Sequence, residues 1–167
     1  MEETRTRLRA CQRQALEVAD EARRVSHGLH PSVIQDFGLS PALEEFCGEF
    51  AKAHGIGVQF ECPGDDAGLG LDGASCLYRI VQECLHNAAK HAHATEIRVA
   101  LTASGGKMHL VVRDNGAGFP AGAHRAKWGL GLVSMKERVR MVNGTLSIAS
   151  QPGQGTEIAA SVPLSGV

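Results

Sequence analysis

The run Arg113-Asp114-Asn115-Gly116-Ala117-Gly118-Phe119, followed a short loop later by Gly129-Leu130-Gly131-Leu132, sets an acid and bare backbone at the end of an alternating segment. Met108, Leu110 and Val112 alternate as in a half-buried strand, so Asp114 falls where that strand runs out. A carboxylate in this place accepts a hydrogen bond from an exocyclic amine. Adenine offers that donor, whereas guanine has a carbonyl at the equivalent ring position, so Asp114 predicts adenine over guanine. Such a charge-assisted bond contributes roughly 1.5–3 kcal/mol, a preference of about ten- to a hundredfold. Gly116 and Gly118 let the main chain approach a ligand. The plain alternative is a strand-to-loop turn, because Asp-Asn-Gly is ordinary turn chemistry. The same letters formally fit a dinucleotide fingerprint, but no apolar helical repeat follows the glycines at Pro120, Ala121, Gly122, Ala123 and His124.

Upstream, residues 72–91 read as one long helix whose apolar stripe is Leu77, Ile80, Val81, Cys84, Leu85 and Ala88. Glu83, Asn87 and Lys90 fall on its opposite face at helical-neighbour spacing. A carboxylate, an amide and an ammonium in a row suit magnesium phosphate. The amide oxygen ligates Mg²⁺, the carboxylate holds the metal's water shell, and the ammonium meets a phosphate oxygen. The competing reading is a solvated helix face.

Four ordered blocks carry a family resemblance. They are Tyr78-Arg79-Ile80-Val81-Gln82-Glu83-Cys84-Leu85-His86-Asn87-Ala88-Ala89-Lys90-His91-Ala92, Asp114-Asn115-Gly116-Ala117-Gly118-Phe119, residues 129–139 from Gly129-Leu130-Gly131-Leu132 onward, and Gly153-Gln154-Gly155-Thr156-Glu157. Together they resemble the catalytic ATP-binding domain of sensor histidine kinases, within the gyrase, Hsp90, histidine kinase and MutL ATPase superfamily. The nearest likeness is to the short-lid subfamily that signals to helix-turn-helix response regulators, and His30-Pro31-Ser32-Val33-Ile34-Gln35-Asp36-Phe37-Gly38-Leu39 is similar to its junction segment. The resemblance implies an α+β fold, a two-layer α/β sandwich of Bergerat type with helices on one face of a mixed sheet. It implies ATP and Mg²⁺ as ligands, with Asn87 and Glu83 as the catalytic and metal-associated residues. Lys90, His91, Asp114, Gly116, Gly118, Gly129, Leu130, Gly131 and Thr156 complete the implied ATP site with Asn87. Glu83 is assigned to the metal's water shell, a base role staying open. Thr156 either bonds the Asp114 carboxylate or a bridging water, or is an ordinary strand threonine.

The remaining segments fit this outline. Leu8, Cys11, Ala15, Val18, Ala22, Val25 and Leu29 make a heptad seam, which wants a partner. The expected organisation is a second dimerisation-type helix at 1–30, a junction at 31–40 and a catalytic domain at 41–167. Within it, a helix over 41–54 ends at Gly55, and Val58, Phe60 and Cys62 form a short strand. A hairpin pairs Ile97, Val99 and Leu101 with Met108, Leu110 and Val112 around Ser104-Gly105-Gly106. The ATP lid spans 118–128, and Trp128 either packs it shut or anchors it. A helix over 133–142 ends at Asn143-Gly144, and Leu146, Ile148, Ile158, Ala160 and Val162 supply the closing strands. Gly129 and Gly131 place amides near that helix N-terminus, which favours phosphate.

A net charge of -1 leaves no electrostatic footprint for nucleic acid and no polybasic membrane patch. No apolar run reaches a membrane span's length, so direct membrane contact is not expected and the reading is cytoplasmic, with a parent protein that is either soluble or membrane-bound. The five cysteines are dispersed with no C-x-x-C pair, which predicts reduced core thiols. His86, His91 and His93 lack a completing ligand set for zinc.

The departure from the family is the phosphoryl acceptor. There, an acceptor histidine on the first hairpin helix is followed by an acid. His27 is followed by Gly28 and His30 by Pro31, so no phospho-acceptor is assigned. The implied partners are therefore a response regulator, an acceptor-histidine helical hairpin and a second copy of the chain through the N-terminal helix. Two alternatives stay open: a serine kinase acting on a transcription-factor partner, and a non-catalytic nucleotide-sensing module.

Overall fold

The computed structural model describes residues 31–64, 66, 68–120 and 130–165. The expectations placed on the heptad seam, His27, His30, Trp128 and Gly129 lie outside the described residues, as does most of the lid. Compactness divides the chain into Met1–Ser32 and Val33–Val167.

The elements in chain order are α1 Pro31–Phe37, α2 Leu39–His54, β1 Gly57–Glu61, α3 Leu71–Asn87, a π turn Ala88–Ala92, β2 Glu96–Ser104, β3 Lys107–Asp114, α4 Leu130–Met141, β4 Thr145–Ser150 and β5 Thr156–Pro163. The strands form one sheet in the order β1-β2-β3-β5-β4. β1 runs parallel to β2 and the other pairs are antiparallel, so the sheet is mixed, as expected. On one face α2 covers β1, α3 covers β3 and β5, and α4 covers β4 and β5.

Strand alternation decides which face is covered. Val99 pairs with Val112, Leu101 with Leu110, and Leu110 in turn with Ala160. These side chains point to the helices and are buried, while Arg98, Thr102 and Arg113 leave on the other side. Arg113 pairs there with its cross-strand neighbour Glu157, an exposed ion pair that contributes little to stability. The predicted stripe of α3 supplies the opposite layer, and Leu77, Ile80, Val81 and Leu85 are each 0% exposed. Burying each such side chain contributes about 1.5–3 kcal/mol.

The ends of the elements follow local chemistry. Gly105 and Gly106 have φ of 58° and 72°, the conformation of a two-residue type I′ hairpin turn. Gly55, left-handed at φ 65°, closes α2 with its amide on the Ala51 carbonyl. Helix α2 starts at Leu39, earlier than the predicted 41, because the Asp66 carboxylate accepts the Ser40 amide at 2.8 Å. That cap comes from a residue 26 positions away and leaves no local signal. Helix α4 likewise begins at Leu130, one turn before the predicted start, and ends at Met141, with Gly144 donating to the Val139 carbonyl at 2.9 Å.

One continuous helix over 72–91 is not what forms. The α-helix stops at Asn87, a π turn carries residues 88–92, and His93 is left-handed at φ 50°. The wider turn leaves the Ala92 carbonyl accepting the Ala117 amide at 2.8 Å. Lys90 falls on this turn, and Glu83 and Asn87 on the α-helix before it.

Leu77→Ala removes a fully buried side chain at the contact of α3 with the sheet. The expected cost is about 2–5 kcal/mol, read as a lower urea midpoint with an unchanged slope.

Candidate functional site

The end of β3, the π turn, β5 and the first turn of α4 enclose a cavity of about 590 Å³, within the range of small-ligand sites. Of the predicted site residues, Glu83, Asn87, His91, Asp114, Gly118, Gly131 and Thr156 line it. Lys90 is exposed on the π turn and outside the lining, and Leu130 is 73% exposed at the start of α4. Gly116 is not in the wall but packs against the π turn, where any Cβ would collide with Ala92.

Asp114 is the last residue of β3, facing Thr156 across the β3–β5 ladder. Its Oδ1 accepts the Gly116 amide at 2.8 Å, and the Thr156 amide also donates to the carboxylate. Burial raises its pKa from the usual carboxylate value, and the two amides pull in the opposite direction. The geometry leaves a half-buried acceptor at the cavity wall beside the apolar side chains of Val112 and Ile158.

At the other end Asn87 Nδ2 donates to Glu83 Oε1 at 3.1 Å. With Nδ2 committed, Oδ1 is the atom of this amide suited to a hard cation. Glu83 also lies against Gly131 in the first turn of α4, where a Cβ would collide with its carboxylate. A helix N-terminus favours negative charge at that position. The donor set thus fits Mg²⁺, which takes one or two protein oxygens and completes its shell with water and phosphate rather than a protein cage.

The loop after Asp114 is held from three directions, which sequence reasoning did not detect. Asn115 Oδ1 accepts the amides of Thr95 and Glu96 at 2.9 and 3.0 Å, fastening the loop to the start of β2. Ala117 joins the π turn through its amide, and its carbonyl accepts the Gly153 amide at 2.7 Å. The Phe119 amide donates to Ser150 Oγ at 2.9 Å. Asn115 lies inside the Asp-Asn-Gly run and Ser150 before Gln151-Pro152, and neither position carries a local signal for these bonds. Cys84 also reaches the cavity, with its thiol pushed up by burial and therefore unreactive. Cys47 and Cys76 are buried too, raised to about 12 and about 11.

A mixed sheet with one helical face and an acid-to-amide cavity along α3 define an ATP-binding α/β sandwich. The chain belongs to the histidine kinase-, DNA gyrase B- and HSP90-like ATPase family, whose profile matches residues 72–166. It is 38% identical over 147 residues to the sensor histidine kinase MctS of Rhizobium johnstonii, covering 87% of this chain and 32% of that protein. It is 36% identical over 144 residues to the signal transduction histidine-protein kinase/phosphatase DegS of Brevibacillus brevis, covering 86% and 37%. The oxygen sensor histidine kinase NreB of Staphylococcus carnosus is 35% identical over 145 residues, covering 87% and 42%. The chain therefore spans about a third to two fifths of the length of these relatives. The fold matches the histidine kinase domain of a blue-light activated kinase from Erythrobacter litoralis, with TM-score 0.62, 24% identity, and 75% and 61% of the two chains covered. It also matches the histidine kinase AdeS of Acinetobacter baumannii, with TM-score 0.61, 12% identity, and 92% and 84% covered.

The raised pKa of Asp114 gives a pH dependence with two signs. The native state holds this proton more tightly than the unfolded chain, so ligand-free stability falls as pH rises through the interval between the two constants. Adenosine needs the ionised acceptor, so its affinity rises as pH climbs through the same interval and then levels. Asp114→Asn is expected to abolish both trends and to weaken adenosine by about 1.5–3 kcal/mol, measured by calorimetry and thermal unfolding across pH.

Proposed function

We propose that this chain is the ATP-binding catalytic part of a two-component sensor histidine kinase, transferring the γ-phosphoryl group of ATP to a histidine. The observation that carries this is one cavity lined by Asp114 at one end and by Asn87 with Glu83 at the other. Such an arrangement matches a ligand with a base at one end and metal-bound phosphates at the other. The sensor kinase names of the relatives support the same reading.

In this reading the Asp114 carboxylate accepts the adenine amine, and Val112 and Ile158 exclude water from the ring. Asn87 Oδ1 and Glu83 hold Mg²⁺, which when bound neutralises phosphate charge. Glu83, by accepting from Asn87 Nδ2, orients the ligating oxygen, a role that competes with general-base activation of water. Lys90 and the amides of Gly129, Leu130 and Gly131 would meet phosphate oxygens. In the transfer the bond from the leaving oxygen of ADP to γ-phosphorus breaks, and an imidazole nitrogen takes the phosphoryl group. The acceptor comes from a helical hairpin, and a response regulator is the onward partner.

The segment 1–30 is proposed as the second dimerisation helix, with self-association through its heptad seam, 31–40 as the junction and 41–167 as the catalytic domain. Among the described residues no helix is long and apolar enough to cross a membrane; the proposed location is the cytoplasm.

Calorimetry with Mg-ATP, Mg-GTP and adenosine tests the pocket. ATP should bind about ten- to a hundredfold more tightly than GTP. Asn87→Ala should weaken Mg-ATP far more than adenosine. Equal binding of ATP and GTP would refute the Asp114 assignment, and equal losses for both ligands of the Asn87 variant would refute the metal assignment.

Incubation with γ-labelled ATP tests the chemistry. The chain alone is expected to remain unlabelled, while an added hairpin carrying an acceptor histidine gains a label lost in acid and kept in base. Acid-labile label on His27 or His30 would instead make the chain complete for autophosphorylation. A label stable to acid on a serine of a partner would favour the serine kinase alternative.

A further inference from the structure

Ser150, at the end of β4, is a buried polar residue. Its hydroxyl oxygen accepts the Phe119 amide at 2.9 Å and donates to the Gly155 carbonyl at 2.9 Å. It also lies 3.1 Å from the Thr156 hydroxyl. Two stretches of chain, at Phe119 and at Gly155-Thr156, therefore meet on one oxygen.

Each of those partners belongs to the cavity or touches Asp114. Phe119 and Thr156 line the cavity. The Thr156 amide donates to the Asp114 carboxylate. Gly155, left-handed at φ 73°, presses so closely on Asp114 that a Cβ there would collide with the Asp114 carbonyl oxygen. Gly118, at φ 60°, is pressed in the same way against the carbonyl oxygens of Gln151 and Gly155. Packing of this tightness has little freedom to adjust if its shared bond is lost.

We propose that Ser150 is a positioning residue for the adenine end of the site: it fixes the Phe119 wall and the Thr156 hydroxyl relative to the Asp114 carboxylate, and so sets base affinity and selectivity. A hydroxyl is suited to this because it accepts and donates at once, and so serves the Phe119 amide and the Gly155 carbonyl together. The inference rests on the ATP reading above, and it concerns the base rather than the phosphates. Ser150 touches no ligand atom in this account and acts only through Phe119, Gly155 and Thr156.

The test uses the full chain, adenosine, Mg-ATP and Mg-GTP in calorimetry, with variants Ser150→Ala and Ser150→Cys. Cysteine keeps nearly the same volume but hydrogen-bonds weakly, so it decides the matter if alanine does not fold. Adenosine and ATP are expected to weaken by the same factor, about tenfold. Discrimination against GTP should narrow, and the Phe119 amide should exchange with deuterium faster. Asn87→Ala supplies the contrast, because it affects ATP far more than adenosine. A folded Ser150 variant that keeps its adenosine affinity and selectivity, even at a lower thermal midpoint, would make Ser150 merely structural and overturn the inference. Failure of the unmodified chain to bind adenosine or ATP at all would instead overturn the ATP reading.

Discussion

The Glu83 and Asn87 side of the site depends on the rotation of helix α3 about its own axis. Leu77, Ile80, Val81 and Leu85 must leave water together, and only one rotation buries all of them between α2, α4 and the sheet. That same rotation sends Glu83 and Asn87 toward the first turn of α4, where Gly131 has no side chain to obstruct the carboxylate. The polar pair is thus placed by apolar burial, and its own bond of 3.1 Å only refines the placement. A polar residue introduced into the stripe would disturb the Glu83 and Asn87 side of the cavity without touching it.

The Asp114 side of the cavity is built on a different principle. No helix supports the loop from Asp114 to Phe119, so fixed hydrogen bonds to β2, the π turn and the β4–β5 turn hold it. Among the described residues every buried side-chain nitrogen and oxygen has a hydrogen-bond partner. A loop held in this way is organised before a ligand arrives, which reduces the ordering cost of binding. The glycines serve the same arrangement. Gly116 and Gly118 sit where main chain meets main chain, and the absent side chains allow the contacts rather than provide mobility.

Regular elements and the polar residues that meet at the cavity were legible in the residues. The two-residue alternation of β2 and β3, the apolar stripe of α3 and the Gly105-Gly106 turn are local signals, because side-chain direction follows from strand and helix period. Asp114, Asn87 and Glu83 were legible by chemistry and by their place at element ends. The four ordered blocks then pointed to the family that the profile over residues 72–166 matches.

What local reading could not supply are relations between distant segments. The start of α2 depends on Asp66, and the loop after β3 depends on Asn115 reaching Thr95 and on Ser150 reaching Phe119. The conversion of the last turn before His93 into a π turn also belongs here. A sequence by itself determined which residues prefer a strand, a helix or a tight turn, and which carry the charge. Only the tertiary structure decided which backbone amide each of those polar atoms would meet, because that choice is made by chain segments brought together through burial of the common core.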